Sequence, residues 1–396
     1  MTGSVRWSRR CGSFASSLER LQRKAIEREN APEKQKVLRT LSVPEVASLL
    51  EVPVGDVIRE CRQSDIEQKA RLSFADFSRL REGFHARTGK WQFRPTRGQE
   101  DDLACVVFAN FKGGSGKTTS SVHFAQYMAR RGYRVLLVDL DSQGSATGLF
   151  GVDPGLDVGE RDGFAGWVLA EDGEELQRDQ LVRRTYWPTI DLVPAGPGLS
   201  GAEDLLTARL RGEGGGHGNP FEELASFLAT VESNYDIAVV DVRPDVNVLM
   251  ACAHQAAHGL IVPVRPMMGD LQSTGSFLRY LAKHYEGAEV EGRAPILTKF
   301  VKVLVTQFDP TDPSEGALVS VMRRLHPEMM LDGEFVDSRV MGSSHFAKET
   351  LFEYEAQGDR AAYARVLASV NKVCRAIEAE VVAVWGRSLS SIKVVA

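Results

Sequence analysis

Between residues 103 and 325, short apolar runs alternate with stretches that carry apolar residues at helical spacing. The runs are rich in Val, Ile and Leu, and they predict strands at 104–110, 133–140, 189–194, 236–242, 259–264 and 301–308. Helical spacing predicts helices at 116–131, 220–233, 246–257, 270–285, 314–325 and 361–385. Apolar strands that alternate with helices are typical of a parallel sheet covered on both faces. The pattern therefore predicts an α/β fold with a doubly wound, mostly parallel sheet.

The segments with a regular pattern before residue 88 are helical. Residues 14–30 predict a basic helix. Ser42 and Glu45 form a capping-box pair at the start of the next helix, and Pro53 separates that helix from a third. The apolar stripes of these two helices contain Val46, Leu49 and Leu50 in the first and Val54, Val57 and Ile58 in the second. Two short helices with a tight break are typical of a helix-turn-helix DNA-binding motif, and an ordinary helical bundle is the alternative.

These patterns divide the chain into four segments. Residues 1–40 are predicted to be a basic helical extension, and residues 41–87 a helix-turn-helix domain. Residues 88–102 mix Gly, Pro and charged residues, which predicts a linker. Residues 103–396 are predicted to form the α/β domain.

Charge is distributed unevenly along the chain. Residues 1–100 contain 20 Lys and Arg against 13 Asp and Glu, whereas the remaining residues contain 28 against 40. The formal net charge of −5 therefore combines a basic front end with an acidic body. This asymmetry predicts that the N-terminal part binds a polyanion.

Composition excludes several classes of protein. Five scattered cysteines without a C-x-x-C pair argue against a disulfide framework or a structural zinc site, and they fit a reducing cytoplasm. No apolar run approaches the roughly 18 residues that a membrane-spanning helix needs. We therefore expect a cytoplasmic protein that does not use the membrane.

The segment KGGSGKTT lies between a predicted strand and a predicted helix, which is the context of a phosphate-binding loop. Its glycines allow a tight turn that directs backbone N–H groups at an anion. Lys117 is expected to reach the β- and γ-phosphates of ATP, and the Thr118 hydroxyl is expected to bind Mg²⁺. The predicted ATP-binding residues are Lys112, Gly113, Gly114, Ser115, Gly116, Lys117, Thr118 and Thr119.

The loop departs from the usual G-x-x-x-x-G-K-[ST] pattern. Phe111 stands where the first glycine is usual, and an additional lysine, Lys112, begins the loop. In this respect it resembles the deviant Walker A motif of the ParA/MinD ATPases. The resemblance implies that Lys112 reaches across a dimer interface to the partner's nucleotide and is catalytic together with Lys117. A cation supplied in this way stabilises the charge that develops during phosphoryl transfer.

Two aspartates follow the second predicted strand. Asp139 lies at the strand's carboxyl end and Asp141 just past it, where ligands of doubly wound sheets bind. The segment resembles the family's D-x-D-P-Q motif, with Ser142 in place of the proline. The resemblance implies that Asp141 is catalytic and orients the attacking water, and that Asp139 helps to organise the Mg²⁺ surroundings. The alternative for Asp139 is that it caps the next turn.

A third aspartate, Asp241, ends another apolar strand. The surrounding segment resembles a Walker B region, which implies that Asp241 holds Mg²⁺ through water. The family usually has D-x-P-P at this point, whereas here Arg243 replaces the first proline. Its side chain is expected to reach phosphate, to pair with an acidic neighbour, or to remain solvated.

The resemblance extends well beyond the phosphate site. The segments 106–151, 307–313, 348–355 and 384–387 look like the RepA-type partition proteins of large low-copy plasmids, which have an N-terminal helix-turn-helix. It runs from about residue 40 to residue 387. Residues 103–396 are accordingly identified as a ParA-type P-loop ATPase domain.

The resemblance implies an ATP- and Mg²⁺-dependent DNA segregation ATPase that is associated with the nucleoid. ATP would close a homodimer that binds DNA non-specifically, and a ParB-type (RepB-type) partner would stimulate hydrolysis. The N-terminal domain would bind an operator and repress its own operon. The alternatives are a nucleotide-switched repressor with little hydrolysis and a ParA-like ATPase that positions another cargo. Weaker candidates are Thr306 and Asp309 for adenine and Arg323, Arg324 and Arg339 for non-specific DNA.

Overall fold

The chain is described from a computed structural model. The described residues are 8–14, 16–18, 20–21, 36–67, 71–171, 173–213, 218–290, 296–346, 348–355 and 358–389. Residues 38–396 form one compact unit, and residues 1–37 form another. Residues 15, 19 and 22–30 of the predicted helix 14–30 lie outside the described residues, and the described residues between 8 and 21 are helical.

Three helices and a small sheet make up the region predicted as a helix-turn-helix domain. Strand β1 (Leu41–Ser42) pairs antiparallel with β2 (Arg71–Leu72). Between and after them lie helices α1 (Val43–Leu50), α2 (Val54–Gln63) and α3 (Phe74–Thr88). The two-stranded sheet brackets α1 and α2, which holds the pair of short helices together.

The capping box of α1 forms as the sequence predicts. The Ser42 side chain accepts from the backbone N–H of Glu45, and the Glu45 carboxylate accepts from the backbone N–H of Ser42. The predicted apolar stripe of α2 is wrong at two positions, because Val54 and Ile58 are 42% and 38% exposed. Helix α2 instead buries Val57 together with Cys61.

An eight-stranded sheet forms the centre of the α/β region. Its strands are β3 (Ala104–Phe108), β4 (Val135–Leu140), β5 (Arg183–Arg184), β6 (Ile190–Val193), β7 (Ile237–Val242), β8 (Gly259–Val264), β9 (Phe300–Phe308) and β10 (Met330–Val336). Their order is β10-β9-β8-β3-β7-β4-β6-β5, and only β5 runs antiparallel to its neighbour. This confirms the predicted mostly parallel sheet. β5 and β10 were not predicted.

Helices cover both faces of this sheet. They are α4 (Lys117–Arg131), α5 (Ser145–Leu149), α6 (Gly163–Val168), α7 (Arg178–Leu181), α8 (Gly198–Leu210), α9 (Glu223–Val231), α10 (Val248–Ala256), α11 (Met268–Val290), α12 (Pro313–Leu325), α13 (Arg339–Phe346) and α14 (Arg360–Val384). One apolar core contains α4, α14 and the N-terminal helices, and a second contains α8 to α11. Two cores on opposite faces confirm the doubly wound arrangement. No helix among the described residues is long and apolar enough to cross a bilayer.

The segment predicted as a linker is anchored at several points. Phe93 is buried and stacks on Phe84 of α3 at 5.0 Å between ring centroids. The Arg97 guanidinium donates to the Glu232 carbonyl at 2.6 Å. Asp101 also pairs with Arg387 beyond α14. Residues 88–102 therefore fasten α3 to the α/β region.

Helix α10 contributes a buried histidine to the second core. His254 packs against Phe277, Tyr280 and His284 of α11, and neither of its ring nitrogens has a hydrogen-bond partner among the described residues. Burial, with a smaller contribution from His284, lowers the pKa of His254 to about 3. The folded protein therefore holds this imidazole neutral, whereas the unfolded chain protonates it near pH 6.5.

We expect His254 to make the folded protein sensitive to acid. Its contribution to stability is fully present above pH 6.5 and is lost as the pH falls toward 3, by about 1.4 kcal/mol per pH unit. His254→Phe should remove this slope in chemical unfolding experiments between pH 6.5 and 4.5. His326→Phe, at an exposed histidine, is the matched control. An unchanged slope in His254→Phe would contradict the prediction.

Candidate nucleotide-binding site

The predicted phosphate-binding loop connects β3 to α4 at the carboxyl edge of the sheet. Helix α4 begins at Lys117, and Gly116 precedes it with a left-handed φ of 86°. Gly114 is also left-handed, with φ of 73°. Residues with a Cβ rarely adopt these angles, so the two glycines permit the turn. The N-terminus of α4 consequently presents its free N–H groups to an anion in the loop.

Three side chains hold the backbone of this loop. The Thr306 hydroxyl at the end of β9 donates to the Ser115 carbonyl at 2.7 Å, and the Gln307 amide donates to the Gly114 carbonyl at 2.8 Å. From within the loop, the Lys117 ammonium donates to the Lys112 carbonyl at 2.9 Å. The Lys117 side chain therefore lies across the loop.

The additional lysine of the loop lies against α11. The Lys112 ammonium is 3.7 Å from a carboxylate oxygen of Asp270, and the Lys112 side chain is 40% exposed. Asp270 is itself buried and paired with Arg265 at 2.6 Å. Lys112 is thus held at the rim of the loop with its side chain partly exposed to solvent.

Two of the predicted carboxylates lie side by side. Asp139 on β4 and Asp241 on β7 are register partners at the ends of their strands, and both are buried. Burial raises the pKa of both carboxyl groups, and repulsion from Asp139 raises that of Asp241 further. Such a pair is costly unless a cation compensates it.

Asp139 and Asp241 differ in their hydrogen bonding. One oxygen of Asp139 accepts from the backbone N–H and the hydroxyl of Thr147, both at 2.8 Å. The other oxygen accepts from the backbone N–H of Asp141 at 3.1 Å. Asp139 therefore connects α5 and the backbone of Asp141 to the end of β4. This role is close to the alternative given for Asp139, the capping of the next turn.

Asp241 is the carboxylate that fits a metal ion. Neither of its oxygens has a hydrogen-bond partner among the described residues. The nearby Thr118 hydroxyl lowers the pKa of Asp241, although it makes no hydrogen bond of ordinary geometry with the carboxylate. The Lys117 ammonium lowers this pKa as well. Mg²⁺ is usually held by one or two carboxylates, substrate phosphates and water. The buried Asp241 beside Thr118 suits that donor set.

The remaining acidic-motif residues lie around this pair. One Asp141 oxygen accepts from the backbone N–H of Gln143 at 3.0 Å, and the residue is half-buried. Arg243 pairs with both oxygens of Glu203 on α8, at 2.9 and 3.2 Å. Asp245 lies 3.4 Å from the same guanidinium. Of the expectations for Arg243, the structure therefore shows pairing with acidic neighbours.

Comparison with known proteins agrees with this geometry. A family model described as an AAA domain matches residues 103–289. A protein of Sinorhizobium fredii named as a replication protein A is 30% identical over 91% of this chain and 90% of its own length. The chromosome-partitioning ATPase Soj of Thermus thermophilus is 33% identical over 52% of this chain and 69% of its own length. The chain belongs to the ParA/MinD family of partition ATPases. The family inferred from KGGSGKTT is confirmed.

A solved structure supports the same fold across the whole ParA/MinD chain. A partition protein matches with a TM-score of 0.63 at 18% sequence identity, and the match covers 95% of this chain and 98% of the other. Because the match includes almost the entire length, the likeness in fold is not limited to the phosphate loop.

A cavity of about 200 Å³ lies next to the phosphate loop. It is lined by Gly116, Thr119, Ser120, Thr306, Gln307, Phe335, Val336, Asp337, Ser338, Met341 and Gly342. Thr306 was predicted near adenine, and it does line the cavity, although its hydroxyl is bonded to the loop. Asp309 is not among the lining residues, and it accepts from the backbone and hydroxyl of Thr311.

The arginines considered for non-specific DNA binding lie in different surroundings. Arg323 is paired with Glu334 at 2.5 Å, whereas Arg324 and Arg339 are exposed. The pairing partly neutralises the charge of Arg323. Arg324 and Arg339 are therefore the more exposed of the three.

Proposed function

We propose that this chain is an ATP-dependent DNA partition ATPase that acts as a homodimer. The observation that carries the proposal is the meeting of a two-lysine phosphate loop with the buried Asp241. The loop offers N–H groups and Lys117 to the phosphates. Asp241 and Thr118 offer the oxygen ligands of a magnesium ion, which would neutralise charge on the β- and γ-phosphates.

The other residues of the site suit the remaining steps of hydrolysis. Lys117 stabilises the negative charge of the transferred phosphoryl group. Asp141, which Asp139 positions through its backbone N–H, orients the attacking water. Lys112 is accessible at the rim, so a second protomer that docks there can receive its ammonium at its own nucleotide. Hydrolysis would then depend on dimer formation.

The N-terminal helices are proposed to bind an operator and to repress the chain's own operon. On α2 the side chains of Val54, Ile58, Arg59 and Arg62 are exposed on one face, with the apolar pair at i and i+4. Apolar groups contact thymine methyls in the major groove, and arginines bind guanine edges or phosphates. The exposure of Val54 and Ile58, which contradicts the predicted stripe, thus supports DNA binding.

We expect the double substitution Arg59→Ala and Arg62→Ala to weaken operator binding by about tenfold or more at physiological salt. Each arginine that contacts phosphate also contributes to the salt dependence, so the slope of log K against log salt should become shallower. Fluorescence anisotropy with operator DNA measures both quantities. Arg365→Ala, at an exposed arginine of α14, is the control and should change neither. Unchanged operator affinity in the double variant would rule out this face.

DNA and a ParB-type partner are proposed to stimulate hydrolysis, at the nucleoid in the cytoplasm. Steady-state phosphate release with ATP and Mg²⁺, measured with and without non-specific duplex DNA and the partner, tests the proposal. Stimulation by both ligands supports a partition ATPase. Nucleotide-dependent operator binding without turnover would instead favour the nucleotide-switched repressor.

A further inference from the structure

The cavity beside the phosphate loop has the size and position of a base-binding site. Its volume of about 200 Å³ is below the roughly 300 Å³ at which pockets for drug-sized ligands begin. It therefore suits one part of a nucleotide. Gly116 belongs both to the phosphate loop and to the cavity wall, so a nucleotide whose phosphates lie in the loop can place its base in the cavity. Phe335 and Met341 supply apolar surface on the side of β10 and α13.

A buried hydroxyl in the cavity wall also indicates a ligand. Ser120 is 1% exposed, and its hydroxyl oxygen has no hydrogen-bond partner among the described residues. An unpaired buried hydroxyl is unfavourable in a folded protein. A purine ring in the cavity would offer it nitrogen acceptors.

The polar side chains in the cavity wall differ in their hydrogen-bond partners. Thr306 and Gln307 donate to loop carbonyls, and the Ser338 hydroxyl accepts from the backbone N–H of Val340. Asp337 is the charged residue among the described lining residues. Its exposed carboxylate has no hydrogen bond or ion pair within the described part of the chain.

The backbone fixes the place of Asp337. Its N–H donates to the Phe308 carbonyl at 2.8 Å, which continues the pairing of β10 with β9 to the ends of both strands. The residue is thus anchored at the same sheet edge as Thr306 and Gln307. Its carboxylate is available at the cavity while its backbone is held.

We propose that the Asp337 carboxylate accepts a hydrogen bond from the 6-amino group of adenine and thereby selects ATP. A carboxylate can only accept, so it pairs with an amino group and repels a carbonyl oxygen at the same position. Hypoxanthine, which carries oxygen at position 6, is therefore disfavoured. This inference rests on the proposed function, because it takes the nucleotide to be a triphosphate bound at the loop.

Affinities of the full-length chain for ATP, GTP, ITP and purine riboside triphosphate, which lacks a 6-substituent, test the inference. We expect the wild type to prefer ATP over ITP and purine riboside triphosphate by about tenfold, the lower end for a hydrogen bond to a charged group that stays exposed to water. Asp337→Asn should bring the ATP/ITP ratio close to one, because an amide can also donate to the 6-oxygen. Asp309→Asn, outside the cavity wall, is the matched control and should keep the wild-type ratio.

The outcomes separate this inference from the proposed function. Equal affinity of the wild type for ATP and ITP, or an unchanged ratio in Asp337→Asn, would overturn the role of Asp337 while the ATPase proposal stands. Preference of the wild type for GTP would also overturn it, because the carboxylate would then accept hydrogen bonds from guanine. A wild-type chain that binds no triphosphate would overturn both.

Discussion

Lys117→Ala should reduce ATP hydrolysis at least about 100-fold. Lys117 is buried and lies across the loop, where burial lowers its pKa while Asp241, Asp141 and Asp245 oppose that change. A preorganised charge of this kind raises the rate by about two to three orders of magnitude when it faces the charge that develops in the transition state. Steady-state phosphate release in the presence of DNA measures the effect.

A matched control shows whether the loss is specific to the site. Lys372 is paired with Asp332 on the surface at 2.9 Å, and Lys372→Ala should retain wild-type turnover. Thermal unfolding of both variants checks that the fold persists. Wild-type turnover no higher than that of Lys117→Ala would show that the chain is not an ATPase under these conditions.

The central part of the fold follows from local pattern. Strands β3, β7 and β8 are fully buried and consist mainly of apolar residues, so the apolar runs predicted the strands and their approximate bounds. Helix α4 has a glycine on each side, and its predicted bounds agree with the observed ones. Such elements carry their own start and stop residues, so tertiary context adds little.

The last strand of the sheet shows where local pattern fails. β10 contains Asp332 and Glu334, and Gly333 between them has φ of 93° with a shift in register to β9. Charged residues and a bulge are common on edge strands, which need only one paired side. Every second residue of MLDGEFV is buried, but the middle one of the three is Gly333, so only Leu331 and Phe335 mark the inward face in the sequence. Because β10 carries Phe335 and leads to Asp337, the base cavity was missed with it.

Sequence motifs predicted the residues of the candidate site, but they did not predict which residues of distant segments those residues contact. The positions of Lys117, Asp139 and Asp241 at one sheet edge follow from strand ends in a parallel sheet. The salt bridge of Arg243 with Glu203 joins residues of β7's loop and α8, and α8 was not predicted. A contact between two distant segments leaves no trace in either segment alone.

Lys112→Ala should retain ATP binding but lose ATP-dependent dimerisation. In one protomer the Lys112 ammonium is at the loop rim near Asp270, so its removal leaves the contacts that Thr306, Gln307 and Lys117 make with the loop. Each hydrogen bond to a charged group is worth about 1.5–3 kcal/mol. Two symmetric contacts per dimer then predict dimerisation at least about 100-fold weaker.

Light scattering with and without ATP measures the dimer, and Lys283→Ala, at an exposed lysine of α11, is the matched control. Mixing gives a sharper test of action between protomers. In a mixed dimer, the Lys112→Ala subunit has a phosphate loop that still contains Lys117. The Lys117→Ala subunit still has Lys112, which it can extend to the nucleotide of the other subunit. If Lys112 acts on the partner's nucleotide, the mixture should hydrolyse ATP faster than either variant alone. Dimer formation by Lys112→Ala equal to wild type, together with a mixture no faster than its components, would place Lys112 outside the reaction.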